Sequence, residues 1–368
     1  MKIAFVANTS WNIFNFRKGL VSHFIALGNQ VLVLSPEDEY TKELVGWGVK
    51  WLSTPLNGTG KNPLGDLRYL RILKKYLRQE MPDVILSYTI KSNIYCCFSS
   101  RSLHIPVICN VSGLGTVFLV QSLSGKVALQ LYRRAFKHAA HVFFQNQDDL
   151  ELFISKVNLD PSRLGVLPGS GIDLSQFQYV PPKFEGPTKF LMISRLIIEK
   201  GVRDFAAAAA FFSSNPNATF TLVGRFDSKH SRTINQDELK IWQANGLTYL
   251  NHSNEIQQLI QDHEVVVLPS YREGTPRTLL EGAAVGRVLL ASNVPGCKEV
   301  IDHEKNGFLF EVKNPDSLID AINKYMSTTK EQRKEMSEAS RALVESRFDE
   351  KVIIQSYEKV IHEIMCKS

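Results

Sequence analysis

Cysteine is scarce in this 368-residue sequence, and the five present (Cys96, Cys97, Cys109, Cys297, Cys366) fall at no metal-ligand spacing. Their odd number argues against a disulfide framework and for a reducing compartment. There is no Asp-x-Asp pair; Asp148 and Asp149 are adjacent. A bound metal is therefore not expected. No Gly-x-Gly-x-x-Gly follows the first apolar run, which disfavours a dinucleotide-dependent dehydrogenase. Long hydrophobic runs are missing too. Residues 102–125 contain no Asp, Glu, Lys or Arg, yet Pro106, Asn110 and several serines and glycines interrupt them. That stretch reads as a strand and a glycine loop, not a bilayer-spanning helix. The start, Met1-Lys2-Ile3-Ala4-Phe5-Val6, enters a strand directly and has no leader architecture. The expectation is a cytoplasmic protein that is not integral to a membrane.

What is present is ordinary in amount and uneven in placement. Hydrophobic residues make up 44% and charged residues 22%, the balance of a globular protein long enough for two domains. The net charge of +6 divides into +8 for residues 1–183 and −2 for residues 184–368. A basic first half suggests an anionic partner there: nucleic acid, a phospholipid surface or a diphosphate-linked lipid.

Short apolar strands alternate with helical stretches. The strands are Ile3–Ala7, Val31–Leu34, Val84–Leu86, Val107–Val111 and Val142–Phe144, with helices expected over 16–27, 66–78 and 124–139. A second series runs through Phe190–Ile193, Thr219–Val223, Val265–Leu268 and Val288–Leu290. Such alternation predicts doubly wound parallel sheets of the α/β class. The run from Gly165 to Pro187, rich in glycine and proline, is the expected linker. The expected division is 1–183, 184–345, and a last helix in 346–368 that packs back on the first domain. Its apolar positions Val352, Ile353, Tyr357, Val360, Ile361 and Ile364 recur at helical spacing. Ligands of such sheets bind at the C-terminal strand edges, here in a cleft that the two domains would face.

The segment from Leu268 to Gly282 carries the most specific signal. Glu273 lies in a Gly274-Thr275-Pro276 loop directly after an apolar strand, and Glu281 lies on the helix that the loop opens. Unpaired N–H groups at a helix start make an anion site, and a carboxylate two turns on can meet a ligand lying along the helix. Two solvated glutamates on a plain strand-loop-helix unit are the bland alternative. Ser194-Arg195-Leu196-Ile197-Ile198-Glu199-Lys200-Gly201 follows the first strand of the second series. A planar guanidinium and a mobile ammonium there suit a diphosphate leaving group.

The first of these segments resembles the Glu-x7-Glu motif of retaining glycosyltransferases of family 4, which have the GT-B fold of two Rossmann-like domains. The second resembles that family's Gly-Arg-Leu-x3-Lys-Gly signature, with Ser194 where glycine is usual. The resemblance implies that Arg195 and Lys200 hold a nucleotide-sugar diphosphate and that Glu281 binds the ribose hydroxyls. It places Glu273 at the donor sugar or reaction centre, with Gly274, Thr275 and Pro276 presenting backbone to sugar and phosphate. Tyr249-Leu250-Asn251-His252-Ser253 resembles the base-binding turn, which makes His252 a donor-side candidate.

In the first half, Asn8-Thr9-Ser10-Trp11-Asn12, Tyr88-Thr89-Ile90-Lys91-Ser92-Asn93 and Ser112-Gly113-Leu114-Gly115 resemble bacterial glycan-assembly transferases that act on lipid-diphosphate acceptors. Asn8, Ser10, Asn12, Lys91 and Ser112 are the acceptor-side candidates. The Gly-Gly pair and the histidine that many family members carry in this half are absent. The expectation is a metal-independent hexosyl or N-acetylhexosaminyl transferase with no cofactor beyond its UDP-sugar donor. N-acetylgalactosamine is the best guess for the sugar and an undecaprenyl-diphosphate-linked sugar for the acceptor. Such a protein would serve lipopolysaccharide or capsule synthesis, without nucleic acid as a partner. Two basic helices, with Arg68, Arg71, Lys74, Lys75 and Arg78 in one and Arg133, Arg134 and Lys137 in the other, could hold it peripherally on the anionic inner face of the membrane. A sugar-nucleotide epimerase and a non-catalytic nucleotide-sugar-binding subunit are the alternatives.

Overall fold

A computed structural model of the chain describes residues 1–56, 62–114, 123–226, 232–253 and 255–366. Gly115 of the expected glycine loop lies outside them. Two compact units result: Met1–Ser170 with Glu350–Ser368, and Gly171–Asp349.

The first unit holds a parallel sheet of β1 (Lys2–Val6), β2 (Gln30–Ser35), β3 (Lys50–Ser53), β4 (Val84–Tyr88), β5 (Val107–Val111), β6 (His141–Phe144) and β7 (Leu164–Val166), in the order 3-2-1-4-5-6-7. Its helices are α1 (Ser10–Ala26), α2 (Thr41–Gly46), α3 (Pro63–Glu80), α4 (Ile90–Ser100), α5 (Leu123–Phe136) and α6 (Gln147–Ile154). The strands between the two edges are apolar without alternation because helices cover both faces. Successive side chains still part company. Ala4, Val6, Leu32 and Leu34 enter one core, while Ile3, Phe5, Val31 and Val33 enter the other.

The second unit repeats the plan with α7 (Val202–Phe211), α8 (Gln236–Ala244), α9 (Ile256–Gln261), α10 (Arg277–Val285), α11 (Pro315–Met326) and α12 (Lys330–Arg347). Its parallel strands are β8 (Thr188–Ile193), β9 (Ala218–Val223), β10 (Leu247–Leu250), β11 (Val265–Leu268), β12 (Val288–Ser292) and β13 (Gly307–Phe310), in the order 10-9-8-11-12-13. Strand order reverses between β1 and β4 in one sheet and between β8 and β11 in the other. Those are the switch points where open sheets leave a crevice for ligands.

α13 (Glu350–Met365) belongs to the first unit, with Ile353, Tyr357, Val360 and Ile361 in the same core as Phe5, Phe24 and Leu86. The division at Ser170 lies ahead of the proline run. Ile172 and Phe177 already sit in the second unit's core, and the Ile172 N–H donates to the Phe348 carbonyl at 2.8 Å. The expected helix over 16–27 begins earlier, at Ser10, because the Thr9 hydroxyl accepts from the Asn12 N–H and caps it. Ser10 and Asn12 are therefore first-turn residues, not loop residues.

Candidate active site

The switch point of the second sheet gathers the residues of both sequence signatures. β8 ends at Ile193 and leads into Ser194 and Arg195; β11 ends at Leu268 and leads into Glu273. Arg195 is exposed. Lys200 closes a 3-10 turn, Ile198–Lys200, and its ammonium donates to the Glu273 carboxylate. The side chains of that pair are only 20% and 12% exposed, so the two charges meet where water screens them weakly.

Two glycines make this meeting possible. Gly201 has φ +70° and lies so close to the next loop that a Cβ would stand 2.0 Å from the Pro269 carbonyl oxygen. Gly296, at φ +83°, would place a Cβ 2.0 Å from the carbonyl oxygen of Gly274. The Glu273 N–H donates to the Pro295 carbonyl at 3.3 Å, and the Tyr271 N–H to the Glu199 carbonyl at 2.8 Å. Three loops thus brace one another around the Lys200–Glu273 pair. Cys297 is fully buried beside them, and burial, reinforced by Glu273, pushes its thiol well up and keeps it protonated.

α10 starts immediately after Gly274, Thr275 and Pro276, with no acidic residue in its first turn. The Thr278 hydroxyl donates to the Ile193 carbonyl at 3.3 Å and fixes that turn to the end of β8. The helix's first N–H groups, Lys200 and Arg195 all lie at the carboxyl edge of β8 and β11, a positive arrangement suited to a diphosphate. One turn on, Glu281 accepts from Arg277 Nε at 2.8 Å. Burial raises the Glu281 carboxyl above its ordinary range, and Arg277 opposes the rise only in part. α10 can lie this deep because Gly282 faces the sheet, where a Cβ would come within 2.8 Å of Val266. His252 is exposed beyond β10; nearby, the Tyr249 hydroxyl donates to the Gly224 carbonyl at 3.0 Å.

The acceptor-side candidates divide by how much of their chemistry is already engaged. The buried Ser10 hydroxyl lies 2.8 Å from that of Ser35, 3.1 Å from that of Thr41 and 3.1 Å from the Pro36 carbonyl. Its work is to hold α1 against the end of β2. Lys91 donates to Asp66 at 2.8 Å and ties α4 to α3. Asn8 is half-buried between β1 and α1, the Asn12 Oδ1 is buried without a hydrogen-bond partner, and Ser112 is exposed just beyond β5. All five lie toward the carboxyl edge of the first sheet.

Sequence reasoning missed Arg277, Thr278 and the Pro295-Gly296 turn. The first two lie inside the quoted motif but show nothing in sequence of what they bond. A Pro-Gly dipeptide after a strand is a turn signal and could have flagged the third. Among the described residues no group of three or more His, Cys, Asp or Glu side chains is placed to hold a metal.

Comparison with known proteins agrees with this geometry. Residues 17–169 match the family described as glycosyl transferase 4-like domain, and residues 176–343 match glycosyl transferases group 1. The chain is 28% identical, over 99% of both sequences, to a Campylobacter jejuni N,N'-diacetylbacillosaminyl-diphospho-undecaprenol alpha-1,3-N-acetylgalactosaminyltransferase. It is 28% identical, over 70% of both sequences, to an Escherichia coli UDP-Gal:alpha-D-GlcNAc-diphosphoundecaprenol alpha-1,3-galactosyltransferase. Anabaena HepE, solved with UDP and glucose, has the same fold, with a TM-score of 0.81 at 20% identity over 99% of this chain and 100% of that one.

Proposed function

The chain is a glycosyltransferase of the GT-B fold, a 4-like domain followed by a group 1 domain, and from that premise we propose that it moves a hexose or N-acetylhexosamine from a UDP-sugar to an undecaprenyl-diphosphate-linked sugar with retention of configuration. N-acetylgalactosamine is the sugar we favour. The observation that carries the reading is the Lys200–Glu273 pair held at the β8/β11 switch point beside Arg195 and the start of α10. Both relatives reported above have names that specify undecaprenyl-diphosphate-linked acceptors, and one transfers N-acetylgalactosamine.

In this reading Arg195, Lys200 and the first N–H groups of α10 receive the donor diphosphate. As the bond from the anomeric carbon to the phosphate oxygen breaks, its electron pair stays on that oxygen, and these groups stabilise the charge without a metal. The acceptor hydroxyl attacks from the face being vacated. Its proton passes to the departing phosphate oxygen, so no enzymic nucleophile is required. Glu273, oriented by Lys200, binds the sugar being transferred. Glu281 exchanges Arg277 for the ribose hydroxyls, which a carboxylate accepts well.

The first half meets the acceptor and the membrane's anionic inner face. Among the described residues no helix is long and apolar enough to cross a bilayer, so attachment by surface charge is the route we favour. The test is incubation of the purified chain with UDP-N-acetylgalactosamine and a prenyl-diphosphate-linked sugar. UDP release only with acceptor present, and a product whose anomeric configuration by NMR equals the donor's, are expected. UDP release that does not depend on acceptor, or a product of inverted anomeric configuration, would overturn this reading of acceptor and mechanism.

A further inference from the structure

Arg17 is the anomaly of the first unit. It stands on α1 and is only 4% exposed. Its guanidinium lies over the Tyr88 ring, 4.2 Å from the centroid. Nε and Nη1 are buried and have no hydrogen-bond partner. A buried cation whose donors are unmet costs several kcal/mol by general estimates. Stacking on an aromatic face returns about 2 kcal/mol or somewhat more when desolvated, and supplies no hydrogen-bond acceptor in the plane of the guanidinium. The arrangement is therefore incomplete without an acceptor of hydrogen bonds.

Its surroundings say where that acceptor would lie. Tyr88 ends β4 and pairs in register with Asn110 near the end of β5. Gln145, just beyond β6, donates to Asn110 Oδ1 at 3.4 Å, and Asn110 Nδ2 donates to the Tyr357 hydroxyl of α13 at 3.2 Å. The Asn12 Oδ1 is buried and unpartnered like those two guanidinium nitrogens, and the buried Tyr88 hydroxyl lies beside that of Tyr357. These neighbours are neutral, and they cluster at the carboxyl ends of the strands beside the β1/β4 switch point, where such sheets take ligands. Tyrosines and amides orient a sugar; only Arg17 among them offers charge.

We propose that Arg17 binds a phosphate of the acceptor's diphosphate linker, the one joined to the sugar that receives the transfer. This rests on the acceptor reading given above. The donor's diphosphate has its own cations in the second unit, Arg195 and Lys200, so the first unit's buried cation is left for the other substrate. Arg17 is thus an acceptor-binding residue, and the unpartnered Asn12 Oδ1 is free to accept from a hydroxyl of the adjoining sugar.

The experiment compares acceptors and variants in the full chain. Two synthetic acceptors carry the same sugar, one on a short prenyl diphosphate and one on a neutral alkyl chain. The wild type should favour the diphosphate by about tenfold to a hundredfold in KM, the range for hydrogen bonds to a charged group. Arg17→Met should raise KM for the diphosphate acceptor to that of the neutral one and leave KM for the UDP-sugar unchanged. Arg17→Lys should restore part of the difference. An unchanged acceptor KM in folded Arg17→Met overturns the assignment, as does a loss that falls on the donor KM. If Arg17→Met does not fold, the wild type still decides: equal KM for the two acceptors overturns the proposal. So does failure of geranyl diphosphate to compete with the acceptor better than geraniol. No transfer to either acceptor would instead sink the acceptor reading, and this inference with it.

Discussion

Lys200 reaches Glu273 across a loop that closes at Gly201, and Gly201 therefore decides whether the site forms. A side chain there would oppose a left-handed backbone, at about 1–2 kcal/mol, and would also strike the Pro269 carbonyl. Gly201→Ala should lower the melting temperature and abolish most transfer. A variant with wild-type melting and turnover would show that the loop has another way to close. Arg195 is exposed and carries no such structural duty. Arg195→Ala should keep its melting temperature while losing roughly 100-fold in kcat, the usual cost of one charge-stabilising donor. Lys200→Ala differs, because it strands Glu273 with its side chain only 12% exposed. It should lose both activity and stability. Glu281 offers a pH test. Because burial raises its carboxyl, it should gain a proton as pH falls, before an ordinary glutamate at about 4.3 does. UDP affinity should weaken across that window and stay flat in Glu281→Gln. Calorimetry at several pH values checks this, and identical profiles would remove Glu281 from the nucleotide site. The identity of these side chains was legible in sequence. That Glu281 is covered by Arg277, and Glu273 by Lys200, was not, because motif spacing carries no information about who bonds whom.

The strands that sequence periodicity missed share one position. β3, β7, β10 and β13 went unrecognised, and they are the four edges of the two sheets. A central strand such as Val265–Leu268 is buried on both faces and reads as a plain apolar run. An edge strand such as Lys50–Ser53 is short, exposed at both ends and half-buried between, so its pattern is weak. The two basic helices also diverge once folded. On α5, Arg133 is spent on the Lys156 carbonyl at 2.9 Å through Nε, leaving exposed only Arg134 and, one residue past the helix, Lys137 among the cations named for it. On α3, Arg68, Arg71, Lys75 and Arg78 are exposed, and near its start Leu64 and Leu67 are 80% and 44% exposed. α3 therefore presents apolar side chains and cations together, as an interfacial helix does. Each cation near an anionic bilayer contributes about 1 kcal/mol. Replacing Arg68, Arg71, Lys75 and Arg78 with glutamine should release the chain from anionic vesicles in a sedimentation assay, and Leu64→Ser with Leu67→Ser should weaken binding further. The same substitutions on α5 should matter little. Undiminished sedimentation of the α3 variant would return these cations to the role of solvated surface.

At the scale of the molecule, the chain leaves its first unit at Ser170, builds the second, and returns at Glu350 to complete the first. The helical spacing of Ile353, Tyr357, Val360 and Ile361 was visible in sequence, since one face of such a helix must be covered. Which core covers it was only an expectation there, because amphipathicity names a face and not a partner. The structure puts these side chains with Phe5 and Leu86, and the Tyr357 ring meets Phe143 edge-on at 5.2 Å. Burying such side chains is worth about 1.5–3 kcal/mol each. For the four of them that is comparable to the whole stability of an ordinary domain, about 5–15 kcal/mol. The two units should therefore respond oppositely to being cut out of the chain. Residues 171–349 expressed alone keep their sheet and both of its cores, and should unfold cooperatively and still bind UDP. Residues 1–170 alone expose the surface that α13 covers and should be aggregated or molten. Adding a peptide of residues 350–366 should recover part of their order, measured by near-UV circular dichroism on the Tyr88 and Phe143 side of the core. A soluble, cooperatively melting 1–170 fragment would mean that α13 is an accessory of the first unit and not one of its structural members.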